Sequence, residues 1–330
     1  MSGYQATLRR LMTEEIGSVC RNEPLRSHCS WRIGGPADLL VEPHCIAHLR
    51  RILQLTRESN IPAVVIGQGT NLLFDDAGVR GVVIKIGRGM SRCRIDKNRV
   101  RAQAGIWVPQ LARAVGRAGL SGMEHTIGIP GTLGGLVVMN GGSKRRSIGD
   151  LVQEVRAVDR RGRIRFLSRR DCRFSYRSSS LQASDLTVVH VELECEPGDP
   201  RRIHREMLEI LRSRRRKFPR KAPSCGSVFV GDATLHERFG PPAKIIEQAG
   251  LKGLRVGGAG VSRRHANFIV NLGDGTSADV LALIRRIREI VYKRTGIWME
   301  CEVRFVSASG AVVPAHEASE PAAAQLSMVT

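Results

Sequence analysis

The chain predicts an α+β fold, with a glycine-rich first part and a compact second domain, on three observations. Short apolar runs of strand length are interspersed with longer segments at helical spacing. Six glycines crowd residues 128–142 among Ile, Leu, Val and Met, which marks a packed segment rather than a flexible linker. Pro200 and its charged neighbours then separate this part from a second set of strand and helix patterns.

In order along the chain, residues 1–20 read as one amphipathic helix, with Leu8, Leu11, Met12 and Ile16 on one side. Residues 46–59 read as a second helix. AVVIG (63–67), GVVIKI (81–86) and RVRAQAG (99–105) read as strands, and 107–120 as a helix ended by its glycine. Alternation over 152–168, interrupted by Arg161-Gly162, reads as a hairpin. TVVHVELE (187–194) is the clearest strand. Beyond Pro200 the pattern gives a basic helix at 201–217, a strand at 226–230, an AKIIEQAG segment (243–250), a strand at 267–272, a long helix at 277–294 and a strand at 300–306. The domains expected are an N-terminal helix (1–24), a two-part domain (25–199) and a C-terminal domain (200–306). Residues 307–330 read as a disordered tail.

At 330 residues the chain exceeds what one small core organises. No apolar run reaches membrane-spanning length, and the N-terminus lacks a secretory h-region, so a cytoplasmic location is expected. The eight cysteines are scattered without a CxxC pair, which argues against a disulfide framework or a zinc site. The net charge of +21 would suit nucleic acid or an anionic surface. Yet only eight of the 52 basic residues are Lys, and three Trp, three Tyr and eight Phe leave few stacking platforms. Neither nucleic acid nor membrane is therefore expected as a partner, while an anionic substrate would gain from the field.

Two glycine loops carry the first chemical signal. Gly67-Gln68-Gly69-Thr70-Asn71-Leu72 follows a strand directly, where glycines let backbone N–H groups approach an anion. It is not a dinucleotide-binding GxGxxG, since Leu72 holds the sixth position, and no P-loop occurs. The second loop contains Gly128, Gly131, Thr132, Gly134 and Gly135, and runs on to Asn140 and Gly141. Spacing alone leaves open that both are packing turns. Together they suit a ligand with a long diphosphate.

In register with these loops stand HCSWRIGGPAD (28–38), GQGTNLL (67–73), GIPGTLGG (128–135), MNGG (139–142), FSYR (174–177), KFP (217–219), PSCGSVF (223–229), GLKG (250–253), HANFIVN (265–271) and EVR (302–304). In this order, over residues 25–306, they resemble the UDP-N-acetylenolpyruvoylglucosamine reductases, the MurB family. The short interval between Arg177 and Ser227 resembles the shorter subtype. The resemblance implies a two-subdomain FAD-binding domain of the vanillyl-alcohol-oxidase type and a C-terminal α+β substrate domain. It implies non-covalent FAD, NADPH as co-substrate, UDP-N-acetylglucosamine enolpyruvate as substrate and, as read here, a monomer.

By the same resemblance Ser227 is the proton donor, Arg177 the catalytic arginine that pairs with the enolpyruvyl carboxylate, and Glu302 the catalytic glutamate. Without it, Ser227 would read as a strand start and Glu302 as an edge-strand carboxylate beside Arg304. Tyr176 and Lys217 match substrate contacts, with Arg214 and Arg304 assisting. His265 and Asn267 read as support. The flavin diphosphate is expected on the backbone of 67–72 and 128–135, with side-chain contacts from Asn71 and Asn140. Three stretches depart from the family pattern: Gln68 and Thr70, Ser143–Arg146, and Val230–Asp232. The competing readings are a flavin oxidoreductase of the same fold with another substrate, and a basic binding protein.

Overall fold

The computed structural model describes residues 3–219, 222–231 and 233–320. The chain forms two compact units. The first comprises Met1–Asn22, Asp38–Gln68 and Gly81–Arg216; the second comprises Glu23–Ala37, Gly69–Arg80 and Lys217–Thr330. The chain therefore passes between units several times, whereas the sequence predicts linear boundaries at 25, 200 and 306.

Among the described residues the first unit holds two larger sheets around one core, with a short antiparallel pair of Leu120–Ser121 and Glu196–Pro197 beside them. One runs, edge to edge, through Ser18–Pro24, Pro36–Glu42, Val79–Lys85 and Ala63–Ile66, the last two parallel with Ala63 opposite Val82. The other is antiparallel and runs Ile164–Ser168, Val152–Val158, Thr187–Glu194, Arg99–Gln103 and Cys93–Asp96. The predicted hairpin is present, with Gly162 at φ +75° in its turn. Helix Ile46–Glu58 buries Leu49, Ile52, Leu53 and Thr56, the i, i+3, i+4, i+7 stripe of an amphipathic helix. Helix Val108–Arg117 does the same with Val108, Leu111, Ala112 and Val115.

The basic helix Pro200–Lys217 belongs to this unit up to Arg216. Its buried Ile203, Met207 and Ile210 join the first unit's core. A Cβ on Gly116 would come within 2.9 Å of Ile203 and 3.0 Å of Met207, so the missing side chain admits the helix. That packing overrides the proline boundary read from the sequence. The N-terminal helix is also shorter than predicted: it covers Gly3–Thr13, and Ser18–Pro24 is a strand. Gly17, at φ +110°, separates them.

In the second unit, Arg255–Val256, Ala259–Val261 and Ile269–Asn271 form one antiparallel sheet. Leu72–Phe74 pairs in parallel with Arg304–Val306, which pairs antiparallel with Val312–Pro314. Helix Ser277–Thr295 starts at a reciprocal Thr276/Asp279 capping box and stops at Gly296, φ +71°. Trp31 is fully buried; its indole N–H donates to the Ile269 carbonyl at 2.8 Å, and Asn271 Nδ2 donates to the Trp31 carbonyl at 2.9 Å.

Of two strands predicted in this unit, one is missing and one is shortened. GSVFV contributes only a bridge from Phe229 to Cys301, and ECEVRFV is a strand only over Arg304–Val306. The tail is a further difference. Val312–Pro314 and helix Ala315–Ala318 are ordered against the last predicted strand, and Ala315 N–H donates to the Val303 carbonyl at 2.9 Å. Arg288 is buried and donates to Glu320 at 2.7 Å and to the Met299 carbonyl at 2.8 Å. Residues 321–330 of the predicted tail, and Asp232, lie outside the described residues.

Ending the chain at Ser307 should therefore cost stability. It leaves Arg304–Val306 as an open edge and Arg288 without its carboxylate, a loss of about 3 kcal/mol for a buried ion pair broken on one side. Thermal unfolding should shift down by several degrees; an unchanged midpoint would show that residues 312–320 contribute nothing.

Candidate active site

The residues predicted to perform chemistry fall in both units: Ser227 and Glu302 in the second, Arg177 in the first.

In the second unit, Asn71 joins two of the predicted segments. Its carbonyl accepts from Arg304 N–H at 3.0 Å, and its side-chain amide donates to the Glu302 carbonyl at 2.9 Å. The Asn71 side-chain NH2 therefore holds the Glu302 main chain, a bond not foreseen from the sequence. Glu302 N–H in turn donates to the Val228 carbonyl at 2.8 Å, which makes the segments of Ser227 and Glu302 main-chain neighbours. Val228 N–H donates to the Asn267 carbonyl at 2.9 Å. The Asn267 amide is used at both ends, accepting from Phe229 N–H and donating to the Phe229 carbonyl, each at 2.9 Å. Asn267 is thus the support the sequence predicts. Ser227 and Glu302 are half-buried, and Glu300 is exposed.

Ser227 follows a turn that only glycine makes without strain, since Gly226 has φ +85°. One residue earlier, the Cys225 thiol donates to the Leu72 carbonyl at 3.2 Å, and Cys29 donates to the same oxygen at 3.0 Å. Burial pushes the Cys225 thiol well above the ordinary cysteine range, consistent with a neutral donor. Gly69, at φ +60°, lies against the His28 carbonyl, where any side chain would collide. Gly69 therefore serves close packing, and no sequence signal connected Cys29 to Cys225.

The other cofactor-loop residues divide by role. A Cβ on Gly67 would collide with Thr132 Oγ1, so the two glycine loops touch at that point. Gly135 is exposed, and a Cβ there would meet only Thr132 Oγ1, at 3.7 Å. Gln68 is exposed, while Thr70 and Leu72 are half-buried. Gly131 has φ +125° and its carbonyl accepts from Val108 N–H at 3.0 Å. Gly134 N–H donates to the Ala104 carbonyl at 2.8 Å and Leu133 N–H to Ile106 at 3.0 Å. Those two donors of the 128–135 loop are spent within the protein. A flavin diphosphate needs backbone without side chains in the way; exposed Gly135 fits that need, while the space over Gly67 is taken by Thr132 Oγ1.

Gly128 lies under the Arg214 side chain, where a Cβ would collide. Burial lowers the Arg214 pKa, and the nearby Arg177 charge lowers it further, so two guanidiniums approach each other. Arg177 sits at φ +54°; Nη2 donates to the Gly142 carbonyl at 2.8 Å, and its guanidinium lies 5.4 Å from the Tyr176 ring centre. Tyr176 itself is exposed.

Asn140 sets this arrangement. It is buried at φ +42°, accepts from Gly149 N–H at 3.0 Å and donates to the Ser175 carbonyl at 2.7 Å. Its amide is thus engaged within the protein, where the sequence predicts a flavin contact. Gly141 packs on Leu136, and its N–H donates to the Leu136 carbonyl at 2.8 Å. His125, beneath this segment, is pushed down to about 4 by burial and by the Arg146 charge, so it is neutral at physiological pH.

Ser143–Arg146 forms a four-residue turn, with Arg146 N–H donating to the Ser143 carbonyl at 3.1 Å. Lys144 and Arg145 have φ of +54° and +61°. This is the type I′ pattern, which normally takes Asn-Gly; a side chain there costs roughly 1–2 kcal/mol per residue. Of the remaining predicted substrate residues, Lys217 is exposed in the second unit; the His265 pKa is lowered by burial, then by the Lys252 charge and less by Lys217. Burial lowers the Arg304 pKa while Glu317 opposes the shift.

Comparison with known proteins shows the family of the chain. An FAD binding domain description matches residues 37–168, and the description "UDP-N-acetylenolpyruvoylglucosamine reductase, C-terminal domain" matches 218–306. UDP-N-acetylenolpyruvoylglucosamine reductase 1 of Corynebacterium glutamicum is 46% identical over 318 residues, covering 94% of this chain and 95% of that one. The reductase of Heliobacterium modesticaldum is 43% identical over 302 residues, covering 90% and 93%. The crystal structure of UDP-N-acetylenolpyruvylglucosamine reductase (MurB) from Thermus caldophilus superposes with a TM-score of 0.73 at 31% identity, covering 87% of this chain and 98% of that one. Among the described residues no helix is long and apolar enough to cross a membrane. With relatives this similar along nearly its whole length, the chain belongs to the UDP-N-acetylenolpyruvoylglucosamine reductase family.

Proposed function

We propose that this protein reduces UDP-N-acetylglucosamine enolpyruvate to UDP-N-acetylmuramate, a step of peptidoglycan precursor synthesis, with FAD as the bound cofactor and NADPH as the electron donor. The observation that carries this reading is near full-length similarity to reductases of that name; the motifs around Arg177, Ser227 and Glu302, which resemble the family's, support it. Exposed Gly135, with Gly67 and the Thr132 hydroxyl beside it, would hold the flavin diphosphate. FAD, once reduced, supplies hydride to carbon C3 of the enolpyruvyl group.

The rest of the chemistry falls to the protein. Hydride at C3 leaves negative charge at C2, delocalised into the carboxylate. A planar guanidinium suits that carboxylate, and Arg177 fills the role, with Arg214 adding to the local positive field. Ser227 gives its proton to C2. A hydroxyl is a weak acid, so the transfer depends on the strong basicity of that carbon and on a neighbour that returns a proton. Glu302 polarises this step; its main-chain bond to Val228, the residue after Ser227, supports that reading. Tyr176, Lys217 and Arg304 contact the UDP-sugar. The balance is one NADPH and one proton consumed for each alkene saturated.

The same reading makes the protein a cytoplasmic monomer that handles nucleotides rather than nucleic acid. A same-fold oxidoreductase with another substrate would not need the Tyr-Arg, Gly-Ser and Glu-Val-Arg sets together.

Ser227→Ala separates the two half-reactions. Stopped-flow absorbance should show flavin reduction by NADPH at nearly the native rate, and reoxidation by the UDP-sugar slowed at least a hundredfold, the range of a lost general acid. Equal loss in both halves would remove Ser227 from the proton-donor role.

A further inference from the structure

A cavity of about 910 Å³ opens in the first unit between the turn at 143–146 and the segment 169–177. Its volume is that of a site for a nucleotide-sized ligand. Six cations besides Arg177 line it: Lys144, Arg145, Arg146, Arg169, Arg170 and Arg173. Among the described residues of the lining, Asp150 is the only carboxylate. It lies 3.8 Å from Arg169 and also accepts from Ser147 N–H. Glu206, outside the lining, is 3.9 Å from Lys144. The lining therefore keeps a large positive excess.

The backbone gives a second, independent sign. Nine described non-glycine residues have positive φ, and five of them, Asn140, Lys144, Arg145, Arg173 and Arg177, line this one cavity. Strain of this kind persists where the geometry serves a ligand. The turn is the sharpest case: relaxing it would take only Asn-Gly, yet the chain keeps two cations at the two left-handed positions. Phe174 and Tyr176 add aromatic surface to the same wall.

We propose that this cavity is a phosphate subsite for a nucleotide of the reductase reaction, with the Lys144-Arg145 turn holding the charge against it. The inference rests on the reductase reading for which nucleotides are considered. Two carry the chemistry: the 2′-phosphoadenosine end of NADPH and the diphosphate of the UDP-sugar. The first brings a phosphomonoester as well as a diphosphate and so uses more of the positive excess.

The test is the double variant Lys144→Asn/Arg145→Gly in the flavin-loaded protein. It removes both cations and supplies the residues a type I′ turn prefers, so its thermal midpoint should equal or exceed that of the native protein. Calorimetric titrations with 2′,5′-ADP and with UDP are then compared at two salt concentrations. At least one of the two is expected to bind the variant about tenfold or more weakly, with a shallower salt dependence. Loss confined to 2′,5′-ADP assigns the subsite to the donor's 2′-phosphate end, and loss confined to UDP assigns it to the sugar nucleotide. Unchanged affinity for both overturns the proposal, as does a loss seen only with an RNA oligonucleotide. The titrations need no turnover. If the variant lost affinity while native protein formed no UDP-N-acetylmuramate, the reductase reading would fail and the phosphate subsite would stand.

Discussion

The second unit's site depends on the pairing of two segments some 230 residues apart, fixed at Asn71. Leu72–Phe74 and Arg304–Val306 are parallel neighbours, and Asn71 closes the end of that ladder from both its carbonyl and its side chain. Glu302 is held there, and through it the chain after Ser227. A parallel pair of three residues gains little by itself. It is held because Val312–Pro314 covers its other side and because Cys29 and Cys225 share the Leu72 carbonyl. The serine and the glutamate are thus positioned by main-chain bonds, which hold geometry better than two flexible side chains could.

Much of the fold was legible because long periodic segments speak for themselves. The helices at 46, 108, 200 and 277 and the strand at 187 appear close to their predicted limits. What failed was local pattern without tertiary context. GSVFV and ECEVRFV have strand composition, but Phe229 and Cys301 form only a bridge between them. The tail reads as polar and small, yet Val312 and Val313 suffice to add a strand once Arg304–Val306 offers an edge. The unit boundaries were hidden for a different reason: segments 23–37 and 69–80 pack with residues far along the chain, as Trp31 with Ile269 and Asn271 shows.

The site was legible as a set of positions more than as a set of roles. Family resemblance alone proposes roles for Ser227, Arg177 and Glu302, and spacing by itself would have passed over each. It did not separate residues that face a ligand from residues that hold the frame. Asn71, Asn140 and Gly134 read as cofactor contacts, yet the Asn71 Nδ2, the Asn140 amide and the Gly134 N–H all bond within the protein. Lys144 and Arg145 were visible only as a departure from pattern; their left-handed backbone gives the departure a physical meaning.

The central claim is that electrons pass from NADPH to a bound flavin and from it to an enolpyruvyl UDP-sugar. The most direct measurement is an anaerobic absorbance trace of the purified protein near 450 nm, roughly where oxidised flavins absorb: NADPH is added until the band bleaches, then UDP-N-acetylglucosamine enolpyruvate. The expected result is bleaching followed by rapid return of the band as the UDP-sugar is consumed. A flavin that stays reduced in the presence of the UDP-sugar, or a protein that carries no flavin, would contradict the account.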